Sequence, residues 1–328
     1  MKYGTIRGEP KIRGDIIHVG RRPLGLYSID RALGFQGNWG LPGRSVIEIY
    51  GNEEVGKTTF ILYAGARWDV DGSIHYADIE GKLDRGYTKE VLANAGFNGE
   101  FYVPEHGDKK RKTGVNPHER QLQEVLDKFP KGKATVGVLD SIGSFFTTPE
   151  EKKPLDERTV GQRAKVINNA ARQLMARLRV ADDPKLFFLI NHKHDKIGGT
   201  MSGVFTPGGK TKNFACNVRL WMYRVDSKFD SWPGSFLAEM RVVKLTHGGA
   251  DPSRKGLVFI IPGYGVSQEM TAVFDCVTLG LAKRGAKLSL NGENVAQIGE
   301  LIEMAQEPWN HIEVFQPFFD ALEEHEEA

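Results

Sequence analysis

Residues Gly51-Asn52-Glu53-Glu54-Val55-Gly56-Lys57-Thr58-Thr59 fit the pattern G-x-x-x-x-G-K-[ST] in full, directly after the apolar run Val46 to Tyr50 and at the start of a helical pattern. The chemistry that such a segment supports is phosphate binding. Its glycines let backbone N–H groups wrap an anion, the helix N-terminus favours negative charge, the Lys57 ammonium reaches β and γ phosphates, and the Thr58 hydroxyl ligates Mg²⁺. A second group is needed beside the metal. Val136 to Asp140 supplies it as an apolar strand ending in a carboxylate, so Asp140 is expected to hold the Mg²⁺. Hydrolysis further requires a carboxylate that orients or deprotonates the attacking water. Glu80 follows the run Ser73 to Ala77 and is the best placed candidate, with Asp78 second, because strand C-terminal ends converge on the ligand in open α/β sheets.

The elements that must hold these groups are visible in the hydrophobic pattern. Short β-rich runs recur at 45–50, 73–77, 134–139, 185–190, 216–223, 236–245 and 257–261. Helical patterns at 57–68, 88–95, 118–129 and 159–178 separate the earlier ones, which argues for parallel strands joined by crossover helices. After Asn217 the strands follow each other closely, predicting an antiparallel extension of the same sheet. Beyond Gly263 come helical stretches at 270–283 and 297–306, with a turn at Asn291-Gly292. Segments 104–117, 147–156 and 192–212 read as loops; the last two stand at strand ends and are long enough to be functional.

The composition of the 328-residue chain, 40% hydrophobic and 26% charged, is that of a globular protein and excludes collagen-like, mucin-like and largely disordered chains. Its net charge of +2 conceals an asymmetry: residues 288–328 hold ten acidic residues and no Lys or Arg, leaving +12 on the first 287. That division points to a polyanion partner for the basic part and a self-screening acidic tail, or to an acidic solvated terminal helix with no role. Cys216 and Cys276 are too few for a disulfide framework, so reduced thiols are expected. No window approaches the ~18 apolar residues of a membrane span and the first ten residues do not resemble a signal peptide. A cytoplasmic protein with no membrane partner is expected.

Several ordered motifs resemble the RecA family of strand-exchange recombinases, particularly its phage members of the UvsX type. The resemblance runs from about Leu24 to Ile298. It begins with Leu26 to Gly34 and Gly40 to Arg44 ahead of the phosphate loop. It continues through Asp78-Ile79-Glu80-Gly81-Lys82-Leu83-Asp84, Leu139-Asp140-Ser141 and Leu189-Ile190-Asn191-His192. It implies that Glu80 is the catalytic carboxylate, that Asp84 and Tyr87 contact adenine, and that His192 senses the γ-phosphate. Lys244 resembles a lysine that reaches across a subunit interface to the neighbour's ATP. Thr246 replaces the second such lysine. Phe214 matches an interface phenylalanine.

The resemblance also implies two DNA-binding loops, at about 149–161 and 192–212. Val160, Gly161, Lys165 and Arg172 belong to the first and the helix after it; Lys196, Ile197, Gly198, Gly208 and Gly209 belong to the second. Lysines and glycine-loop amides would hold phosphates, and Val160 or Ile197 would wedge between bases. The cluster Lys109-Lys110-Arg111-Lys112 has no match in the family and reads as a solvated loop or a duplex-binding patch. The expected fold is α/β: a RecA-like P-loop NTPase core with a mostly parallel sheet between helices, plus a small α+β C-terminal domain. The expected division is an N-terminal oligomerisation segment at 1–23, the ATPase core at 24–265, and the C-terminal domain with its acidic tail at 266–328. The expected activity is that of a DNA-dependent ATPase using ATP and Mg²⁺, which forms a helical filament on single-stranded DNA and exchanges strands with homologous duplex DNA. Further expected partners are a single-strand binding protein or loading mediator, in a bacterial cell and with a phage-encoded origin. The alternative is a RecA-fold ring helicase or regulatory motor.

Overall fold

The computed structural model describes residues 20–35, 37–105, 115–128, 134–148, 161–180, 184–195, 204–205, 207, 215–226, 233–246 and 253–327. Two short strands, β1 (Arg21–Arg22) and β2 (Leu41–Pro42), pair with each other around helix α1 (Tyr27–Leu33). The body of the protein is a nine-stranded sheet. In chain order its strands are β3 (Ser45–Gly51), β4 (Ser73–Asp78), β5 (Glu100–Tyr102), β6 (Ala134–Asp140), β7 (Leu186–His192), β10 (Val218–Asp226), β11 (Phe236–Leu245), β12 (Lys255–Ile261) and β13 (Gly265–Ser267). Their spatial order is β13-β12-β11-β10-β3-β7-β6-β4-β5. The strands from β5 to β10 run parallel, and β11, β12 and β13 add in antiparallel fashion. This is the parallel sheet with an antiparallel extension expected from the spacing of the apolar runs.

Helices cover both faces. On one, α2 (Lys57–Trp68) and α3 (Arg85–Asn94) pack over Ile47, Ile49, Ile74, Val136 and Leu220. On the other, α4 (Pro117–Lys128) and α5 (Gln162–Val180) cover Val46, Ala77, Leu139 and Phe187. β3 is therefore buried on both sides, as central parallel strands are, and reads as a nearly unbroken apolar run. α4 turns Leu122, Val125 and Leu126 inward at helical spacing. Every parallel strand thus delivers its C-terminal end to one edge, where β3, β4, β6 and β7 finish at Gly51, Asp78, Asp140 and His192.

The C-terminal residues form a third cluster at the β12 end of the sheet. It comprises α6 (Gln268–Leu279), the three-stranded sheet of β14 (Ala282–Arg284), β15 (Leu288–Leu290) and β16 (Glu293–Asn294), then α7 (Ile298–Met304) and α8 (Ile312–Glu327). Phe259 of the main sheet stacks on Phe274 at 5.4 Å between ring centroids, joining this cluster to the body. Ser267 caps α6 by accepting from Met270 N at 3.1 Å, and Gln297 with Glu300 forms a capping box on α7.

The acidic segment 288–328 is folded, with β15, β16 and α7 in its first part and helix α8 at its end. Phe315, Phe318 and Leu322 are buried on the inner side of α8, while Glu323, Glu324 and Glu326 are exposed. Charge dominated the sequence reading of this stretch and hid its apolar spacing of i, i+3 and i+7. Truncation that reaches Leu322 would therefore open a core. Phe318→Ala is expected to cost about 3–5 kcal/mol in a denaturant titration, whereas truncation after Leu322 should move the midpoint by less than about 1 kcal/mol equivalent. Equal losses would contradict this division of α8.

Candidate active site

The phosphate loop leaves β3 at Gly51 and enters α2 at Lys57. Glu54 (φ 56°) and Gly56 (φ 88°) adopt left-handed conformations that coil the backbone. At Gly56 a Cβ would stand 2.2 Å from Ile260 Cδ1 and would be strained at this φ, which favours glycine. Arg224 Nε donates to Glu54 O at 2.8 Å and Val55 is buried in the core, which anchors the loop at both its tip and its inner side. The first helical bond is Phe60 N to Gly56 O, no side chain caps α2, and its first turn holds no acidic residue. That combination leaves N-terminal amides for an anion. Lys57 Nζ donates to Gly51 O and Asn52 O. Burial lowers its pKa, opposed by the charges of Asp140, Glu80 and Glu53.

Thr58 Oγ1 donates to Asp140 Oδ2 at 3.0 Å, and the Tyr76 hydroxyl donates to the same oxygen. The hydroxyl of α2 and the carboxylate of β6 are thus side by side, a pair of hard oxygen donors suited to Mg²⁺, which takes its other ligands from phosphates and water. Burial pushes the Asp140 carboxyl up to about 6, with the Tyr76 hydrogen bond opposing and the Glu80 charge adding to the rise.

Glu80 stands at the centre of the site. Its Oε1 accepts from Ser141 Oγ at 2.6 Å and Ser144 Oγ at 3.0 Å, and pairs with His192 Nε2 at 2.8 Å. Its Oε2 meets Lys82 Nζ at 2.9 Å. The His192 hydrogen bond, followed by those of Ser141, Lys82 and Ser144, holds this carboxyl far below the usual range despite its burial. Gly143 makes room for the imidazole, since a Cβ there would lie 2.9 Å from His192 Cδ2. Asp78 lies beneath and accepts from Lys82 N and Leu83 N, so it braces the turn. Asn52, Glu53, Glu80, Lys82, Gly143, Ser144, His192 and Lys193 line one cavity of about 490 Å³. A larger cavity of about 570 Å³ lies away from these groups, beside Tyr27, Leu257 and Asp275.

Behind the site, Asn191 is fully buried. Its Nδ2 donates to Glu48 Oε1 at 2.8 Å and to Pro207 O at 2.9 Å, while its Oδ1 accepts from His192 N at 3.0 Å. Glu48 in turn takes Arg219 Nε at 2.6 Å. Asp84 caps α3 by accepting from Tyr87 N at 2.7 Å, and the Tyr87 hydroxyl bonds Thr59 Oγ1 at 2.6 Å, fixing that ring against the first turn of α2.

Comparison with known proteins identifies the lineage. The RecA N-terminal domain family matches residues 13–267. RecA of Gloeothece citriformis is 30% identical over 280 residues, covering 84% of this chain and 73% of that protein. RecA of Mycobacterium ulcerans is 30% identical over 280 residues, covering 84% and 75%. The chain belongs to the RecA family. A crystal structure of the RadB recombinase has a similar fold, with a TM-score of 0.50 at 16% identity over 73% of this chain and 95% of that one.

Other positions that the RecA resemblance singled out are divided. Gly161 (φ 87°) precedes α5, and Lys165 and Arg172, seven residues apart on that helix, are exposed on one face. Arg163, at the start of α5, donates to Gly143 O at 2.8 Å. In the second loop, β8 (His194–Asp195) pairs with β9 (Val204–Phe205) as an antiparallel ribbon. Val160, Lys196, Ile197, Gly198, Gly208, Gly209, Phe214 and the basic cluster at 109–112 lie outside the described residues. Lys244 stands two strands from β3, level with Glu48, and donates to Cys216 O at 2.6 Å. It does not line its own chain's phosphate cavity. Sequence reading did not single out Ser144 or Tyr76, whose contacts with Glu80 and Asp140 join segments far apart in the chain, or Lys82, which the turn at Gly81 folds back onto Glu80.

The raised carboxyl of Asp140 makes stability depend on pH. With a native pKa of about 6 against 3.8 for an ordinary aspartate carboxyl, the native state binds more protons between those values. Stability therefore falls as pH rises through that window, by at most about 3 kcal/mol. Asp140→Asn should then stabilise the protein in metal-free, nucleotide-free buffer at pH 7.5, with most of the gain gone at pH 4. Urea titrations at the two pH values check it, and a pH-independent difference would contradict it.

Proposed function

We propose that this RecA-family chain is an ATP-dependent DNA recombinase that polymerises on single-stranded DNA as a helical filament and pairs it with homologous duplex DNA. The observation that carries the reading is the bonding around Glu80. Ser141 and Ser144, which reach it from β6, lie beside Gly143, the acceptor of Arg163 at the head of α5. His192 reaches it from β7, next to Asn191, which bonds Pro207 in the second loop. One carboxylate beside the phosphate loop is therefore tied to both segments expected to hold DNA.

ATP would lie with its phosphates on the loop amides and Lys57, and its adenine towards Asp84 and Tyr87. When bound, Mg²⁺ neutralises the β and γ phosphates, and Thr58 and Asp140 would hold it. Glu80, held as an anion beside the phosphate loop, would orient the water in line with the γ-phosphate. His192 would donate to a γ-phosphate oxygen and, by leaving or keeping Glu80, pass the nucleotide state to the second loop. Lys244 would reach the neighbour's nucleotide in a filament, and Phe214 would pack at that interface. The kinship with phage members rests on His192 in place of an amide. The cation-rich loops and the exposed Lys165 and Arg172 suit a phosphate backbone.

Lys57→Ala should abolish nucleotide-dependent DNA binding. Lys165→Ala with Arg172→Ala should lower single-strand affinity and reduce the slope of log K against log salt by about 1.4, at about 0.7 per phosphate. Electron microscopy with a non-hydrolysable ATP analogue and single-stranded DNA discriminates the architectures: helical filaments are expected, and closed rings would favour a helicase or regulatory motor.

A further inference from the structure

One cation in the site is left without a role by the reading above. Lys82 follows Glu80 by two residues, separated by Gly81 in a left-handed conformation (φ 65°) whose Cβ position meets nothing within 4 Å. This turn folds the chain back on itself, and the Asp78 carboxylate fixes it by accepting from Lys82 N at 3.2 Å and Leu83 N at 3.2 Å. The lysine stem therefore starts from a fixed backbone. Its tip is different: the side chain is 74% exposed, whereas that of Glu80 is 11% exposed.

The two oxygens of Glu80 are used unequally. Oε1 carries the Ser141, Ser144 and His192 contacts, which exhausts its capacity to accept. Oε2 carries the Lys82 ammonium at 2.9 Å, so it is the oxygen left to take a water hydrogen. Lys82 and Glu80 line the same cavity as Asn52 and Glu53 of the phosphate loop. Lys82 is also close enough to Lys57 for its charge to help lower that lysine's pKa, after the larger effect of burial.

We propose that Lys82 is a specificity-determining residue that distinguishes nucleoside triphosphate from diphosphate by exchanging Glu80 Oε2 for the γ-phosphate of its own chain's nucleotide. The inference rests on the ATPase reading of this site. The Lys82 end of this ion pair is mostly in solvent, where water screens it, and a flexible ammonium is readily drawn to a more highly charged group in a cleft. A γ-phosphate offers that group and a diphosphate does not. Lys57 cannot make the distinction, because it sits on the loop itself and serves β and γ phosphates alike. The exchange has a second effect: Oε2 becomes open to the attacking water only when there is a γ-phosphate to attack.

Equilibrium binding separates these effects from activity. Dissociation constants for the Mg²⁺ complexes of adenylyl imidodiphosphate and of ADP are measured on the full chain for wild type, Lys82→Gln and Lys82→Arg. Lys82→Gln should weaken the triphosphate analogue about tenfold, the size of one charge-assisted contact, and leave ADP within about twofold. Lys82→Arg should restore most of the discrimination. Equal weakening of both nucleotides, or an unchanged ratio in Lys82→Gln, would overturn the proposal while leaving the ATPase reading intact. A wild-type chain that binds neither nucleotide would overturn both.

Discussion

A carboxylate withdrawn from water is costly unless its oxygens are hydrogen-bonded, and Glu80 meets that requirement with donors from β6, β7 and the turn after β4. The requirement runs in both directions. The donors keep Glu80 ionised, and Glu80 joins side chains at or just after the ends of three neighbouring strands, β4, β6 and β7, which the sheet already pairs. Held ionised in this way, the carboxylate is suited to orienting a water by accepting its hydrogen. Any group that competes for one of these donors, as a phosphate would for His192 or Lys82, alters the bonding of the other segments.

The support behind this centre is an ionic one. Glu48 is fully buried in the middle of the sheet, held between Arg219 and Asn191. Removing one partner from such a group leaves a buried charge unpaired and typically costs about 3–5 kcal/mol, so Asn191 has little freedom to reorient. With one amide hydrogen committed to Glu48 and the other to Pro207, and its oxygen accepting from His192 N, it links His192 to the second loop. On the other side, Arg163 does the same for the head of α5 through Gly143.

Much of this was legible from the chain alone, for identifiable reasons. Apolar runs separated by helical patterns specify parallel strands with crossovers, and the order of β3, β4, β6 and β7 delivers Gly51, Asp78, Asp140 and His192 to one edge. The phosphate loop and the Thr58 and Asp140 pair were legible because their chemistry is local or lies at a strand end. Less was legible where meaning depends on contact across the fold. Asp78 and Glu80 are both acidic and two residues apart, yet only the fold shows that Asp78 accepts from backbone amides while Glu80 lines the cavity. Lys82 stands within the motif Asp78 to Asp84 with nothing in its type or spacing to show that it meets Glu80, and α8 looked like a charged tail because its four-residue glutamate cluster outweighed three well-spaced apolar side chains. Seven-residue α1 and the three-residue β5 are too short for a periodicity to register.

The central claim is that Glu80, through His192, couples nucleotide state to DNA affinity. Coupling is a ratio of equilibrium constants and is reciprocal, so it is measured directly as single-stranded DNA affinity with a triphosphate analogue against ADP, in wild type and His192→Ala at fixed salt. The account predicts that the analogue strengthens DNA binding in wild type and that His192→Ala loses at least about tenfold of that ratio, roughly 1.4 kcal/mol, while its affinity for ADP is unchanged. A ratio that survives intact in His192→Ala would contradict it.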